Sequence, residues 1–196
     1  MTRDFSEAIR DRMGAEISAA ERDVFNSLGR VAQTRTRVNT GLSGRDGDLT
    51  QMGYEVVSGD TDGTRAVYGN GERVGKFEPM GTWRNENEAT NWRSALPEDA
   101  KHLFAPVLAV AEGFEWLVME YADVDAVTPA DHRDLLRELI VEQNLDMTDP
   151  HPDNVGMLDG RAVMIDYNFQ PKEVADTREE REAVYKKKLR DYDIQP

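Results

Sequence analysis

The chain has 196 residues and a mass of 22.1 kDa, enough for one well-cored domain with an appendage. Its 38 Asp and Glu against 24 Lys and Arg leave a net charge of -14, which disfavours binding to nucleic acid or to an anionic membrane surface. The lack of cysteine excludes disulfides, thiol catalysis and cysteine-ligated zinc, and three widely separated histidines make no metal cluster.

No apolar run reaches the length of a membrane span, and the N-terminal MTRDFSEAIRDRMG has no apolar signal core, so a cytoplasmic location is expected. The excess of Asp over Lys resembles proteins of salt-loving archaea or their viruses, in which concentrated salt screens self-repulsion. An ordinary acidic protein is the alternative.

In chain order, Phe5, Ile9, Met13, Ile17, Ala20, Val24 and Leu28 recur at steps of three and four, predicting one helix over Asp4 to Leu28 with Gly29 as its stop. Its expected role is packing or association with a partner or a second copy. Residues 30 to 50 read as a linker, in which Arg30, Arg35 and Arg37 are expected to pair with carboxylates. Short strands follow at Tyr54 to Ser58, Thr64 to Tyr68 and Arg73 to Phe77, the last two joined by a turn at Gly69-Asn70-Gly71. Arg84 to Ala95 is a charged helix with Thr82 as its expected N-cap and Pro97 as its end. Two more strands are expected at Ala105 to Ala111 and Glu115 to Tyr121. Thr128-Pro129 then opens a helix whose Leu135, Leu136, Leu139 and Ile140 share a face. After Phe169 a charged segment, with Glu182 and Lys186 spaced i,i+4, reads as a solvated helix.

The richest stretch in chemistry is Asp149 to Phe169, DPHPDNVGMLDGRAVMIDYNF. Val155 to Leu158 and Ala162 to Ile165 read as two strands joined at Asp159-Gly160. Folding the chain back there brings Asn154 and Asp166 together, a carboxylate and an amide oxygen suited to Mg²⁺ bridging nucleotide phosphates. Asp149 is then left to orient an attacking hydroxyl.

Asp149-Pro-His-Pro-Asp-Asn154 followed by Ile165-Asp166-Tyr167-Asn168 resembles the catalytic and metal-binding loops of the protein-kinase-like superfamily, nearer its aminoglycoside and choline kinase branch than its protein kinases. Met147-Thr148 departs from the usual pair ahead of the catalytic Asp, and Asn168 replaces the glycine of the metal loop. The resemblance covers roughly residues 54 to 169 and implies an α+β, protein-kinase-like fold with a small antiparallel N-lobe sheet and a strongly reduced C-lobe. The implied division is an N-terminal helix and linker (1–50), a minimal kinase-like domain (51–171) and a charged C-terminal helix (172–196).

The same resemblance implies the roles of the site residues. Lys76, in Val74-Gly-Lys-Phe77, would contact nucleotide phosphates, tied by Glu88 of the following helix, with Glu86 as the runner-up. Trp116-Leu-Val-Met119-Glu-Tyr-Ala122 corresponds to the hinge strand, with Met119 as gatekeeper and the backbones of Glu120 and Ala122 as partners of adenine. Val57 and Val74 would roof the base, and Gly59 and Gly63 would turn backbone N–H groups toward phosphates. That loop has two glycines where the family has three, and it carries Asp60 and Asp62. His151 is expected to structure its loop rather than act as a base. The implied activity is ATP- and Mg²⁺-dependent phosphoryl transfer to a hydroxyl acceptor on a protein or small molecule. The alternative is a pseudokinase used as a nucleotide-binding or interaction module, since no segment long enough for an activation loop or a helical substrate platform follows the metal loop.

Overall fold

The computed structural model describes residues 17–34, 47–59, 65–79, 81–146, 149–167 and 171–194. These fall into two compact units, Met1–Arg93 with Pro106–Tyr121, and Ser94–Ala105 with Ala122–Pro196.

The first unit is built on a five-stranded antiparallel sheet. Its strands are β1 (Glu55–Gly59), β2 (Ala66–Gly69), β3 (Arg73–Phe77), β4 (Val107–Val110) and β5 (Trp116–Glu120), in the spatial order β1-β2-β3-β5-β4. The β2–β3 turn is closed by Asn70, whose side-chain oxygen accepts from the N–H groups of Glu72 and Arg73 at 3.0 and 2.8 Å. Gly71 there takes the left-handed φ of 82° that favours glycine.

One face of this sheet is covered by helix α1 (Ala19–Gln33). Phe25 sits at the centre, its ring 5.6 Å from Tyr54, 5.6 Å from Phe77 and 5.5 Å from Trp116. A side chain at Gly75 would meet Phe25 at 3.5 Å, so Gly75 and Phe77 point toward the helix. By strand alternation, Val74 and Lys76 point away from it. The ion pair of Arg73 with Glu21, at 3.2 Å, and the hydrogen bond from Trp116 Nε1 to Asn26 Oδ1, at 2.9 Å, fasten the same side.

Two expectations about this helix are corrected. Ser18 is extended and caps α1, its hydroxyl accepting from Glu21 N–H while the Glu21 carboxylate accepts from Ser18 N–H, so a continuous helix through this point is broken there. Residues 1–16 lie outside the described residues. Gly29 is not the stop, because the helix runs on to Gln33. A Cβ at Gly29 would lie 2.5 Å from Glu115 Cγ and 2.9 Å from Trp116 Cδ1, so its role is close approach of helix to strand. The expected linker ends in a short helix, Gly47–Gln51, because Leu49 is fully buried in the same core. Residues 35–46, with Arg35 and Arg37, lie outside the described residues.

Helix α2 (Arg84–Thr90) continues as a π-helical turn over Asn91–Ala95. Thr82 does not cap it. Trp83 occupies the N-cap with φ 62° and no side-chain cap, and the carboxylate of Glu78 accepts from Arg84 N–H and Asn85 N–H at 3.1 and 3.0 Å. A negative charge on the exposed N–H groups of a helix start does the work of a capping hydroxyl.

The second unit contains helix α3 (Pro129–Arg137), which continues as a π-helical turn over Glu138–Glu142. Thr128 caps it reciprocally with Asp131, as the sequence predicts. A hairpin follows, β7 (Val155–Leu158) with β8 (Arg161–Met164), turning at Asp159 and Gly160 with φ of 50° and 76°, the two left-handed residues of a tight hairpin. Before it β6 (Leu145–Asp146) pairs with the later β9 (Lys172–Glu173). The C-terminal helix α4 (Arg178–Asp191) differs from the expected solvated segment. It buries no side chain, yet it is docked by charge: Arg137 holds Glu182 at 2.6 Å, Arg178 holds Glu142 at 2.6 Å and Lys188 holds Asp146 at 3.1 Å. With no apolar stripe to read, the docking is seen only in long-range contacts such as these and the cation–π contact of Arg137 with Tyr185. Among the described residues no helix is long and apolar enough to cross a membrane.

The whole is an α+β fold. In its first unit three strands, a helix and two strands follow one another, the order that the kinase-like resemblance implies for an N-lobe.

Candidate functional site

In the first unit the chemistry gathers on the sheet face away from α1. Lys76 pairs across β3–β2 with Val67 and across β3–β5 with Leu117, in mid-sheet. Its ammonium donates to both oxygens of Glu88, at 3.1 and 3.0 Å. Glu88 is fully buried and Lys76 nearly so. A carboxylate is retained in such a place only if its charge is met by cations and hydrogen bonds, and here both are present. Glu88, not Glu86, is thus the acid that α2 directs at the lysine.

A second cation shares the carboxylate. Arg65, just ahead of β2, donates through Nη1 to Glu88 Oε1 at 2.9 Å and through Nη2 to Asn85 Oδ1 at 3.0 Å. Asn85 and Glu88 stand one turn apart on the same face of α2. The amide nitrogen of Asn85 donates to the carbonyls of Lys76 and Phe114, at 3.2 and 3.0 Å, and so hydrogen-bonds the helix to the sheet. Sequence reasoning missed Arg65. The signal was available in the alternation of β2, which puts Arg65 and Val67 opposite in sense to the core residues Ala66 and Tyr68.

Of the residues assigned to the adenine, Val57, Val74 and Met119 share that face. Val74 pairs with Gly69 on one side and with Met119 on the other, and Met119 is buried. Val57 sits in an irregularity of the β1–β2 ladder, with its Cγ2 where a Gly69 side chain would project, 2.6 Å from that Cβ position. Val57 is 47% exposed, an apolar surface left to solvent beside Val74. The N–H of Glu120 donates to the Pro106 carbonyl at 3.0 Å, so this residue would meet a ligand as an acceptor, through its carbonyl. Gly59 ends β1, paired with Ala66. Gly63, with Asp60 and Asp62, lies outside the described residues.

In the second unit the loop after β6 presents Asp149, exposed. Met147 and Thr148 ahead of it lie outside the described residues. The loop is held from within. Asn154 donates its amide N–H to the Asp149 carbonyl at 3.1 Å, and His151 accepts from Asp153 N–H through Nδ1 at 3.3 Å. His151 caps the turn Pro152–Asn154, a loop-structuring role. Because the Asn154 nitrogen is the donor, its amide oxygen is the end suited to a cation.

Asn154 and Asp166 flank the hairpin. The ladder pairs Val155 with Met164, and beyond it the Ile165 N–H donates to the Asn154 carbonyl at 2.9 Å, placing Asp166 one residue further on. Tyr167 anchors that end: its hydroxyl donates to the Ala105 carbonyl at 2.6 Å and its ring stands edge-on to Phe104 at 5.2 Å. Asn168 lies outside the described residues. No group of three or more His, Cys, Asp or Glu in metal-holding geometry occurs among the described residues. One carboxylate and one amide oxygen fit a hard cation that keeps phosphate and water ligands, which is how Mg²⁺ is usually held.

Two further contacts set this loop region. Ala122 is exchanged into the hairpin through its neighbour: Asp123 N–H donates to Met157 O at 2.9 Å and Met157 N–H donates back at 2.8 Å. Gly156 permits it, since a Cβ there would lie 2.7 Å from Ala122 Cβ. His132 of α3 is buried and hydrogen-bonded to the Pro150 carbonyl, next to Asp149; burial lowers its pKa below the ordinary 6.5, with His151 reinforcing and the Pro150 bond opposing.

No protein-family model and no curated protein matches the chain. Solved structures do. Monomeric WbdD is 22% identical over 65% of this chain and 37% of that one, with a TM-score of 0.42. A second structure, described as the bifunctional kinase-methyltransferase WbdD, is 24% identical over 57% and 31%, at 0.39. Choline kinase LicA from Streptococcus pneumoniae is 15% identical over 77% and 80%, at 0.39. The chain spans about a third of the length of the WbdD chains it matches.

Proposed function

We propose that the chain is a phosphotransferase acting with ATP and magnesium on a hydroxyl acceptor. The observation that carries this reading is the Lys76–Glu88 pair, buried on the same sheet face as Val74 and Met119. A lysine with no task beyond solubility sits at an exposed edge, not on a buried carboxylate in mid-sheet.

In this reading Lys76 meets the charge of the nucleotide phosphates and Glu88 keeps its ammonium in one position. Gly59 offers its backbone N–H to the same phosphates. Val57, Val74 and Met119 face the base, and the backbones of Glu120 and Ala122 meet its polar edge. Asn154 and Asp166 are the oxygen donors for magnesium. When bound, the metal neutralises phosphate charge and so eases attack by a hydroxyl. Asp149 accepts a hydrogen bond from that hydroxyl, orients it, and takes its proton as the new oxygen–phosphorus bond forms and the bond to the leaving diphosphate breaks.

The test uses purified protein with Mg²⁺ and γ-labelled ATP at molar potassium chloride, chosen because a net charge of -14 is screened there. Label on the protein or on a small molecule supports transfer. Binding of ATP with no label moved reassigns the same residues to a nucleotide-binding module. Failure to bind ATP overturns the reading.

A further inference from the structure

Helix α4 buries none of its own side chains, and the end of so exposed a helix near a chain terminus ordinarily frays. Here the end is fixed. Asp193 takes a left-handed φ of 51°, its N–H donates to the Arg190 carbonyl at 3.3 Å, and the Ile194 N–H donates to the Leu189 carbonyl at 2.9 Å. These two bonds close the last turn as a Schellman motif. Ile194 is then buried, although the helix before it is not. Lys188 secures the preceding turn on Asp146, at 3.1 Å, in the strand that leads to Asp149. Tyr192 stands between these two fastenings, one turn beyond Lys188 on the same side of α4.

The path of α4 leads to the loop of Asp149. It runs antiparallel to α3 and its π-helical continuation: Arg178 meets Glu142, Glu182 meets Arg137, and the Tyr185 hydroxyl donates to the Arg133 carbonyl at 3.4 Å. His132, the residue before Arg133, is hydrogen-bonded to the Pro150 carbonyl. Successive contacts thus carry α4 along α3 to the peptide that follows Asp149. There the part-buried Tyr192 lies within electrostatic reach of the Asp149 carboxylate. Burial raises the pKa of its hydroxyl above the ordinary 10.0, and the charges of Asp149, Asp191 and Asp146 raise it further, so the phenol keeps its proton.

We infer that Tyr192 is a phosphate acceptor within the chain itself, a tyrosine phosphorylation site that the fastened end of α4 presents to Asp149. The inference rests on the phosphotransferase reading above and names an acceptor for it. In this step the phenolic oxygen of Tyr192 bonds to the γ-phosphorus of ATP, and the bond from that phosphorus to the oxygen bridging the β-phosphate breaks. Asp149 takes the phenolic proton, ADP leaves, and phosphotyrosine is the product. Tyr185, two turns back on the same helix, is the internal comparison, because its hydroxyl is spent on the Arg133 carbonyl.

The experiment incubates the full chain with Mg²⁺ and γ-labelled ATP at about 0.1 M potassium chloride, where the ion pairs of α4 are only partly screened. The label is mapped by digestion and mass spectrometry, with glycerol present as a competing alcohol and a melting curve for each variant. Alkali-stable label is expected at Tyr192, formed at a rate per chain that does not change with protein concentration. It should be absent from Tyr192→Phe and Asp149→Asn and retained in Tyr185→Phe. Lys188→Glu sets two acids against each other at Asp146 and is expected to slow labelling about a hundredfold, the cost of displacing a reacting group by about 1 Å. Label that maps to other residues in the wild type overturns the proposal without recourse to any variant. So does labelling of Tyr192 whose rate per chain rises with protein concentration, or a Lys188→Glu chain labelled as fast as wild type. Phosphate passed to glycerol with the chain unlabelled overturns the inference and leaves the phosphotransferase reading standing. ATP bound with no label moved to either sinks both.

Discussion

The side-chain amide of Asn85 donates to the main-chain carbonyl of Lys76 at 3.2 Å, so the helix that carries Glu88 is hydrogen-bonded to the strand that carries its lysine. The same amide donates to Phe114 O, and its oxygen accepts from Arg65. Asn85 is fully buried, and Asn85→Ala would remove its hydrogen bonds to Lys76, Phe114 and Arg65. We expect a loss of about 2–4 kcal/mol of stability, the range for leaving several buried polar groups unpaired. Chemical denaturation with an unchanged m-value checks it. A loss below about 1 kcal/mol would mean that water replaces the amide, and that α2 is held to the sheet by other contacts.

Gly29 sets two effects against each other. Alanine favours a helix interior over glycine by about 1 kcal/mol, so propensity alone predicts that Gly29→Ala stabilises α1. The new methyl, however, would stand 2.5 Å from Glu115 Cγ and 2.9 Å from Trp116 Cδ1. Both atoms belong to the sheet core side, and overpacking of this kind costs roughly 1–3 kcal/mol. The clash should win. A melting temperature lowered by a few degrees is the expected outcome. A raised one would show that the helix can lift away from β5 without penalty.

How legible these features were in the sequence depended on the range of the interactions. The turns at Gly71 and Asp159-Gly160 and the cap at Thr128 are local, with chemistry confined to a few neighbouring residues, and they stand where the sequence puts them. The five strands appear within one or two residues of their expected ends. Most of the misreadings are long-range; the break at Ser18 is the exception, a local capping box with Glu21. Gly29 looks like a helix stop unless one knows that β5 lies against it. Thr82 looks like a cap unless one knows that the Glu78 carboxylate reaches the same N–H groups. Arg65 has no motif, and its meaning comes from Glu88 and Asn85, 23 and 20 positions away in the chain. The docking of α4 rests on Arg137 and Glu142, which no periodicity within the helix announces.

His132 predicts a pH dependence with a definite sign. Burial holds its folded pKa below 6.5, whereas the unfolded chain takes up a proton near that value. Between the two pKa values the unfolded state binds more protons, so stability rises with pH in that window and falls as the pH drops below about 6.5. The contribution is fully present above about pH 7, and its slope cannot exceed about 1.4 kcal/mol per pH unit for one proton. Denaturation midpoints measured from pH 7.5 to 5.5 should decline, and His132→Gln should flatten that decline. Parallel profiles for the two proteins would show that His132 titrates alike in both states.

Asp166 is expected to act through the metal. If its carboxylate holds nucleotide-associated magnesium, Asp166→Ala weakens Mg-ATP far more than metal-free ATP, because the interaction lost is with the cation. Tyr167 keeps the loop in place through the Ala105 carbonyl, so the substitution should leave the fold intact. Calorimetry with and without magnesium reads the difference. Equal losses in both conditions would reassign the carboxylate to structure.

Asp149 and Lys76 separate transfer from binding. Asp149 is exposed, and in the proposed chemistry its carboxylate acts on the acceptor hydroxyl, with no part in holding adenine. Asp149→Asn should therefore leave nucleotide affinity within about twofold of wild type while lowering turnover by a factor of about 100 or more, the usual contribution of a positioned base. Lys76→Ala should fail differently. It removes a phosphate contact made in the ground state as well as in the transition state, so affinity and turnover fall together. It leaves Glu88 the Arg65 guanidinium as a cationic partner, so a folded protein is expected and its melting curve can be compared directly with wild type. A wild type that binds ATP without transferring phosphate to any acceptor, with Asp149→Asn indistinguishable from it in every assay, would end the enzyme reading.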